Sequence, residues 1–148
     1  MKNNSDTIFA LATQRGKSAI AVFRVSGKNS HKIIKKISSR KAFKTNVATL
    51  NNIRDGKNVV DQTLTTFFKS PNSYTGEDMV EISCHGGISV INKITKTILS
   101  KKIRLAEPGE FTRRGLINNK LSVLDAENIG DIINAETESQ RKIAINTS

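Results

Sequence analysis

The chain has one cysteine, Cys84, no tryptophan, one tyrosine and two prolines. A lone thiol excludes an internal disulfide and fits a reducing compartment. Aromatics make up only 5% of the residues. That is too few for the rows of platforms on which single-strand nucleic-acid binders stack successive bases. No stretch approaches the roughly 18 apolar residues of a membrane helix. The start, MKNNSDTIF, lacks the apolar run of a signal peptide. Together these absences favour a soluble, cytoplasmic protein. Cys84 and His85 are adjacent and His31 is far away, so no His/Cys set has zinc-ligand spacing. Acidic residues are scarce as well: 13 against 24 Lys and Arg, a net charge of +11. Such an excess favours anionic partners, namely nucleic acid, acidic lipid or a polyanionic small molecule. The clearest basic run, from His31 to Lys44, is either a nucleic-acid patch or a solvated face.

What is present reads as an α+β domain. Thr7 to Ala12 has the pattern of a first strand. Ser18 to Ser26, SAIAVFRVS, is apolar on both faces, as in a central strand. Gly27 ends it, and Asn29 or Ser30 can cap a helix to about Ser38 with Ile33, Ile34 and Ile37 as its stripe. Val47 to Ile53 and Val59 to Phe68 form a hairpin through Asp55-Gly56. A polar loop, Ser70 to Asp78, leads into the strand Met79 to Cys84. His85-Gly86-Gly87 opens a helix bearing Ile88, Ile91, Ile94, Ile98 and Leu99. Arg104-Leu105 fits a short strand, and Glu110 to Gly115 a short helix after the Glu107-Pro108-Gly109 break. From Ser122 apolar residues recur at helical spacing with no stop signal before Ser148. The expectation is a domain over 1–120 and the first helix or helices of a truncated helical domain over 121–148.

Gly16-Lys17-Ser18 imitates a nucleotide-binding P-loop. The motif needs a further glycine five residues before its Gly-Lys pair and a helix after it, and here Leu11 and the strand AIAVFRV stand in those places. No other segment offers a GTP or ATP site.

Two charged residues sit where charge is costly. Arg24 lies among Val22, Phe23 and Val25, and Glu81 among Val80, Ile82 and Cys84. Each must meet an opposite charge, a hydrogen-bonding group or a ligand. Two readings stay open: a buried ion pair, or two groups lining a pocket for a polar ligand. Lys120, before the helical tail, reads as a linker lysine or as a side chain reaching a pocket mouth. Cys84 alternates with Val80 and Ile82 and reads as core, and His85 as a turn residue.

DTIFALAT, AVFRVSG, PNSYTGEDMVEISCHGG, PGEFTRRGLINNKL and DAENIGDII resemble, in order and spacing, the N-terminal domain of the tRNA-modifying GTPase MnmE (TrmE) family. The resemblance covers almost the whole chain. It implies a fold similar to the folate-binding domain of glycine-cleavage aminomethyltransferases. It implies binding of 5-formyltetrahydrofolate or methylenetetrahydrofolate as one-carbon donor, homodimerisation, and work with an MnmG-type flavoprotein on C5 of the wobble uridine (U34) of certain tRNAs. GTP hydrolysis, with Mg2+ and K+, would belong to a G domain that this sequence lacks, so the piece by itself is expected to hydrolyse no GTP. Carried over by position, the folate contacts fall on Arg24, Glu81 and Lys120. Glu81 would accept hydrogen bonds from the amino-pyrimidine edge of the pterin, while Arg24 and Lys120 suit carbonyl, formyl or carboxylate oxygens. Departures from the family pattern are the loop Gln14 to Ser18, usually richer in Pro and Gly, Gly115 for Ala, and Asn118-Asn119 before Lys120. The rival expectation is a basic tRNA-docking or dimerisation module without functional folate binding.

Overall fold

Among the described residues, six strands form one mixed sheet with three helices distributed over its two sides. The computed structural model describes residues 6–13 and 19–118. Gly16-Lys17-Ser18, Lys120 and the expected helical segment over 121–148 lie outside the described residues. The elements run β1 (Ile8–Leu11), β2 (Ile20–Ser26), α1 (Ser30–Ile37), β3 (Thr49–Asp55), β4 (Asn58–Phe68), β5 (Met79–His85), α2 (Ile88–Leu99), β6 (Arg104–Leu105) and α3 (Glu110–Ile117). The sheet order is β3-β4-β5-β2-β1-β6. All neighbours are antiparallel except β1 and β6.

Alternation along the strands sorts side chains to two faces. Phe9 and Leu11, Phe23 and Val25, and Val80, Ile82 and Cys84 join Ile33, Ile34 and Ile37 of α1 and Ile91, Ile94 and Ile98 of α2 in the main core. Ile8 and Ala10 turn the other way, onto Ala106, Phe111 of α3 and Tyr74 of the loop between β4 and β5. Burial in β2 alternates, with Ile20 56% exposed and Val22 and Arg24 only partly covered. β2 is therefore central in the sheet; its α1/α2 face is fully buried, whereas on the other face exposure falls from Ile20 to Ser26, which is 0% exposed.

Two glycines shape the connections. Gly27 (φ +136°) presses so close to the residue before β1 that a Cβ would lie 2.6 Å from Thr7 Cα. Gly56 (φ +60°) makes the hairpin turn expected at Asp55-Gly56. α1 begins where the sequence places it, but no side chain caps it. Asn29 occupies the N-cap position, and its own N–H donates to Oγ1 of Thr7, the residue before β1, at 3.1 Å.

Candidate functional site

The strand register puts Arg24 and Glu81 opposite each other. One row crosses the sheet face that α1 and α2 do not cover: Ala10, Arg24, Glu81, Thr66. Arg24 Nη2 donates to Glu81 Oε1 at 3.4 Å. Their side chains remain 22% and 31% exposed. The two residues singled out from sequence thus meet 57 positions apart. The pairing is incomplete, since it is a single long hydrogen bond and Arg24 Nε is buried without a hydrogen-bond partner. The guanidinium carbon lies 4.9 Å from the Tyr74 ring centroid and 5.9 Å from that of Phe111, within cation–π range.

The aromatic walls are held by a polar network that sequence reading missed. Arg104 of β6 pairs with Asp6 (2.6 Å) and Glu110 (2.7 Å). Arg114 of α3, 3% exposed, bonds Asp6 (2.9 Å), Glu77 (3.0 Å) and Glu110 (3.1 Å). Glu77 also accepts from Ser26 Oγ of β2 at 2.9 Å, and Ser26 Oγ and Thr75 Oγ1 are 2.6 Å apart. Tyr74 Oη and Thr112 Oγ1 are 3.0 Å apart, and Asn118 Nδ2 donates to the Thr75 carbonyl. The loop from Ser70 to Asp78 and α3 are thereby tied together beside Arg24. Hydrogen bonds from Arg104 hold the Asp6 carboxyl below the usual carboxylate range. Burial pushes Glu110 upward, but Arg104 and the Glu107 N–H outweigh it and leave its pKa lowered. The charge density of PGEFTRR was the available signal; its partners Asp6 and Glu77 lie far away in sequence.

Beyond Glu81 the same face becomes apolar. Ile20, Leu50 and Leu64 are 56%, 53% and 48% exposed, and with Ser83 and His85 they line a shallow groove of about 220 Å³. His85 ends β5, with Nδ1 2.7 Å from Asp61 Oδ1. Cys84 points into the main core, and burial pushes its thiol up to about 12. Among the described residues no group of three or more His, Cys, Asp and Glu could hold a metal ion, and no helix is long and apolar enough to cross a membrane.

The arrangement can receive a flat polar ligand. Aromatic rings wall one side, a half-exposed carboxylate has lone pairs to offer, and a guanidinium has unused donors. Among the described residues around Arg24 and Glu81, nothing resembles a nucleophile–base pair or a phosphate cradle.

Residues 7–120 match the family model described as GTP-binding protein TrmE N-terminus. A curated tRNA modification GTPase MnmE from Aliarcobacter butzleri is 45% identical over 140 residues, covering 94% of this chain and 31% of the relative. The protein of that name from Fervidobacterium nodosum is 46% identical over 150 residues, covering 96% and 32%. The one from Clostridioides difficile is 43% identical over 147 residues, covering 95% and 32%. The chain spans about a third of the length of these relatives. It belongs to the TrmE N-terminal domain family, the N-terminal part of MnmE-type tRNA modification GTPases.

Proposed function

We propose that this chain is the tetrahydrofolate-binding, dimerising part of a tRNA-modifying GTPase, presenting a one-carbon donor for C5 of the wobble uridine. Residues 1–120 form this domain and 121–148 begin the helical one. The observation that carries the reading is the unfinished Arg24–Glu81 pair: one 3.4 Å bond, a buried Nε without partner, and a carboxylate still 31% exposed. A structural ion pair would saturate its donors. A pair that also holds a ligand leaves some free.

The residues present fit a reduced folate. Glu81 offers two carboxylate oxygens to a two-donor edge such as an amino-pyrimidine. Tyr74 and Phe111 offer apolar ring surface beside it, and Arg24 offers remaining donors to carbonyl or formyl oxygen. Lys120 is proposed as the third contact through the family pattern alone. Bound 5-formyl- or methylenetetrahydrofolate would supply the one-carbon unit. The chain's own residues orient it and shield one face from water.

The uncovered apolar strip of Ile20, Leu50 and Leu64 supports homodimerisation, because exposed apolar surface of this kind marks contact sites. It adjoins the Arg24–Glu81 row, so a second copy seated there would border the ligand. An MnmG-type flavoprotein and tRNA are the further proposed partners, in the cytoplasm. GTP, Mg2+ and K+ belong to the G domain of the longer relatives. Calorimetric titration of the folded chain with 5-formyltetrahydrofolate tests the reading: saturable heat supports it, and none from a folded dimer refutes it.

A further inference from the structure

The basic residues are not spread evenly over the fold. Among the described residues, the arginines near α3 are all neutralised: Arg24 by Glu81, Arg104 by Asp6 and Glu110, Arg113 by Glu107, and Arg114 by Asp6, Glu77 and Glu110. The opposite side of the sheet differs. Neither α1 (SHKIIKKI) nor α2 (ISVINKITKTIL) contains an acidic residue. Where their C-terminal ends meet the β3–β4 turn there is a cleft of about 230 Å³. Lys36, Lys41, Arg54 and Lys101 line it, with Asp55 as the one acidic side chain, and the rest of the lining is serine, threonine and glycine. All four cations are exposed, and none of their side chains makes an ion pair or hydrogen bond among the described residues.

Helix polarity explains part of this. Lys36 in the last turn of α1 complements the negative end of the helix. The same reason covers Lys101, directly after the C-cap of α2, but it does not reach Lys41 or Arg54, which come from the segment after α1 and the rim of the hairpin. Lys32 and Lys36 also stand exposed one helical turn apart with no acid between them, a spacing at which like charges repel. Three separate segments thus converge unpaired cations on a concave, polar surface.

We infer that this cleft, on the face opposite the Arg24–Glu81 row, docks the phosphate backbone of an RNA. Cations without partners gain most from phosphates and release condensed counterions on binding. A membrane surface fits less well, since the lining has no exposed apolar side chain to insert between headgroups. The identity of the RNA as tRNA rests on the proposed function; the cleft's preference for phosphates does not. Docking behind the sheet leaves the folate face free, so the RNA body and the one-carbon donor can be held at once.

The test compares two charge-neutralised forms of the full chain. One carries Lys36→Gln, Arg54→Gln and Lys101→Gln; the other carries Lys44→Gln, Lys69→Gln and Lys102→Gln, exposed lysines outside the cleft. Fluorescence anisotropy with labelled tRNA is followed across salt concentration, and circular dichroism checks the fold. Each lost phosphate contact lowers the slope of log affinity against log salt by about 0.7 to 0.9, so the cleft variant should lose about 2 to 3 units of slope and at least about tenfold in affinity at low salt. The control variant should lose less than about threefold. Equal losses in both would reduce the effect to bulk charge and overturn the site. So would unchanged RNA affinity in the cleft variant, or loss of binding to phosphatidylserine vesicles while RNA binding persists. Absence of salt-dependent RNA affinity in the unmodified chain would overturn it too, and would leave folate binding to stand or fall on its own titration.

Discussion

Arg24 and Glu81 face each other in register across β2 and β5, yet share one hydrogen bond of 3.4 Å. A half-exposed pair of this quality contributes roughly 0–1 kcal/mol to folding. Its presence on a strand needs another reason, and ligand contact supplies one.

Stability and affinity should therefore separate at this position. Glu81→Ala is expected to change the free energy of unfolding by less than about 1 kcal/mol. It should weaken 5-formyltetrahydrofolate binding by about 2 kcal/mol, the scale of a lost charged hydrogen bond. Urea denaturation and calorimetry measure the two quantities. Unchanged affinity would remove Glu81 from the site.

Arg114 should behave in the opposite way. It is 3% exposed and serves three carboxylates, with Glu110 1% exposed beside it. Arg114→Met strands those charges and should cost about 3–5 kcal/mol. A loss under about 1 kcal/mol in denaturant melts would show that the network is dispensable.

Acid should destabilise the fold in two stages. Burial lowers the pKa of His31, with Lys35 adding to the shift and Asp78 opposing it. A base with a lowered folded pKa gives stability that is complete above its unfolded value, about pH 6.5, and lost as pH falls through the folded one. Asp6 and Glu110, also lowered, give stability that is complete above the ordinary carboxylate values near pH 4 and lost below them. His31→Phe should remove the first stage and keep the second. The ring stacks on Phe67 at 4.0 Å, so phenylalanine preserves the contact. Melting temperatures between about pH 3 and 8 report both stages; a variant whose profile matches the unmodified chain would contradict the assignment.

Cys84 should resist thiol reagents until the chain unfolds. It is 3% exposed and its thiol is pushed up to about 12. Ellman labelling at pH 8 should follow the unfolding rate, and rapid labelling of the native chain would exclude it from the core.

Much of this architecture is legible in the sequence because it rests on local pattern. Ile33, Ile34 and Ile37 mark the buried side of α1, and Asp55-Gly56 marks the hairpin. The Pro108-Gly109 break precedes α3, where Gly109 takes φ +73°. Arg24 and Glu81 stand out singly, since each is charged within an apolar run. Their partnership is not legible, because it depends on strand register across 57 residues. The network is less legible still: Arg104 meets Asp6 from 98 positions away. Tyr74 and Phe111 look like ordinary loop and helix residues until that network draws them over Arg24. The bond that ties the start of α1 to the residue before β1, Asn29 N–H to Thr7 Oγ1, is likewise a long-range contact.

The central claim is the folate site built around Arg24 and Glu81. Isothermal titration of the folded chain with 5-formyltetrahydrofolate tests it most directly. The account predicts saturable heat at one site per chain, lost in parallel in Glu81→Ala and Arg24→Leu variants that still fold. A folded, dimeric sample that gives no heat, or variants that bind as the unmodified chain does, would contradict it.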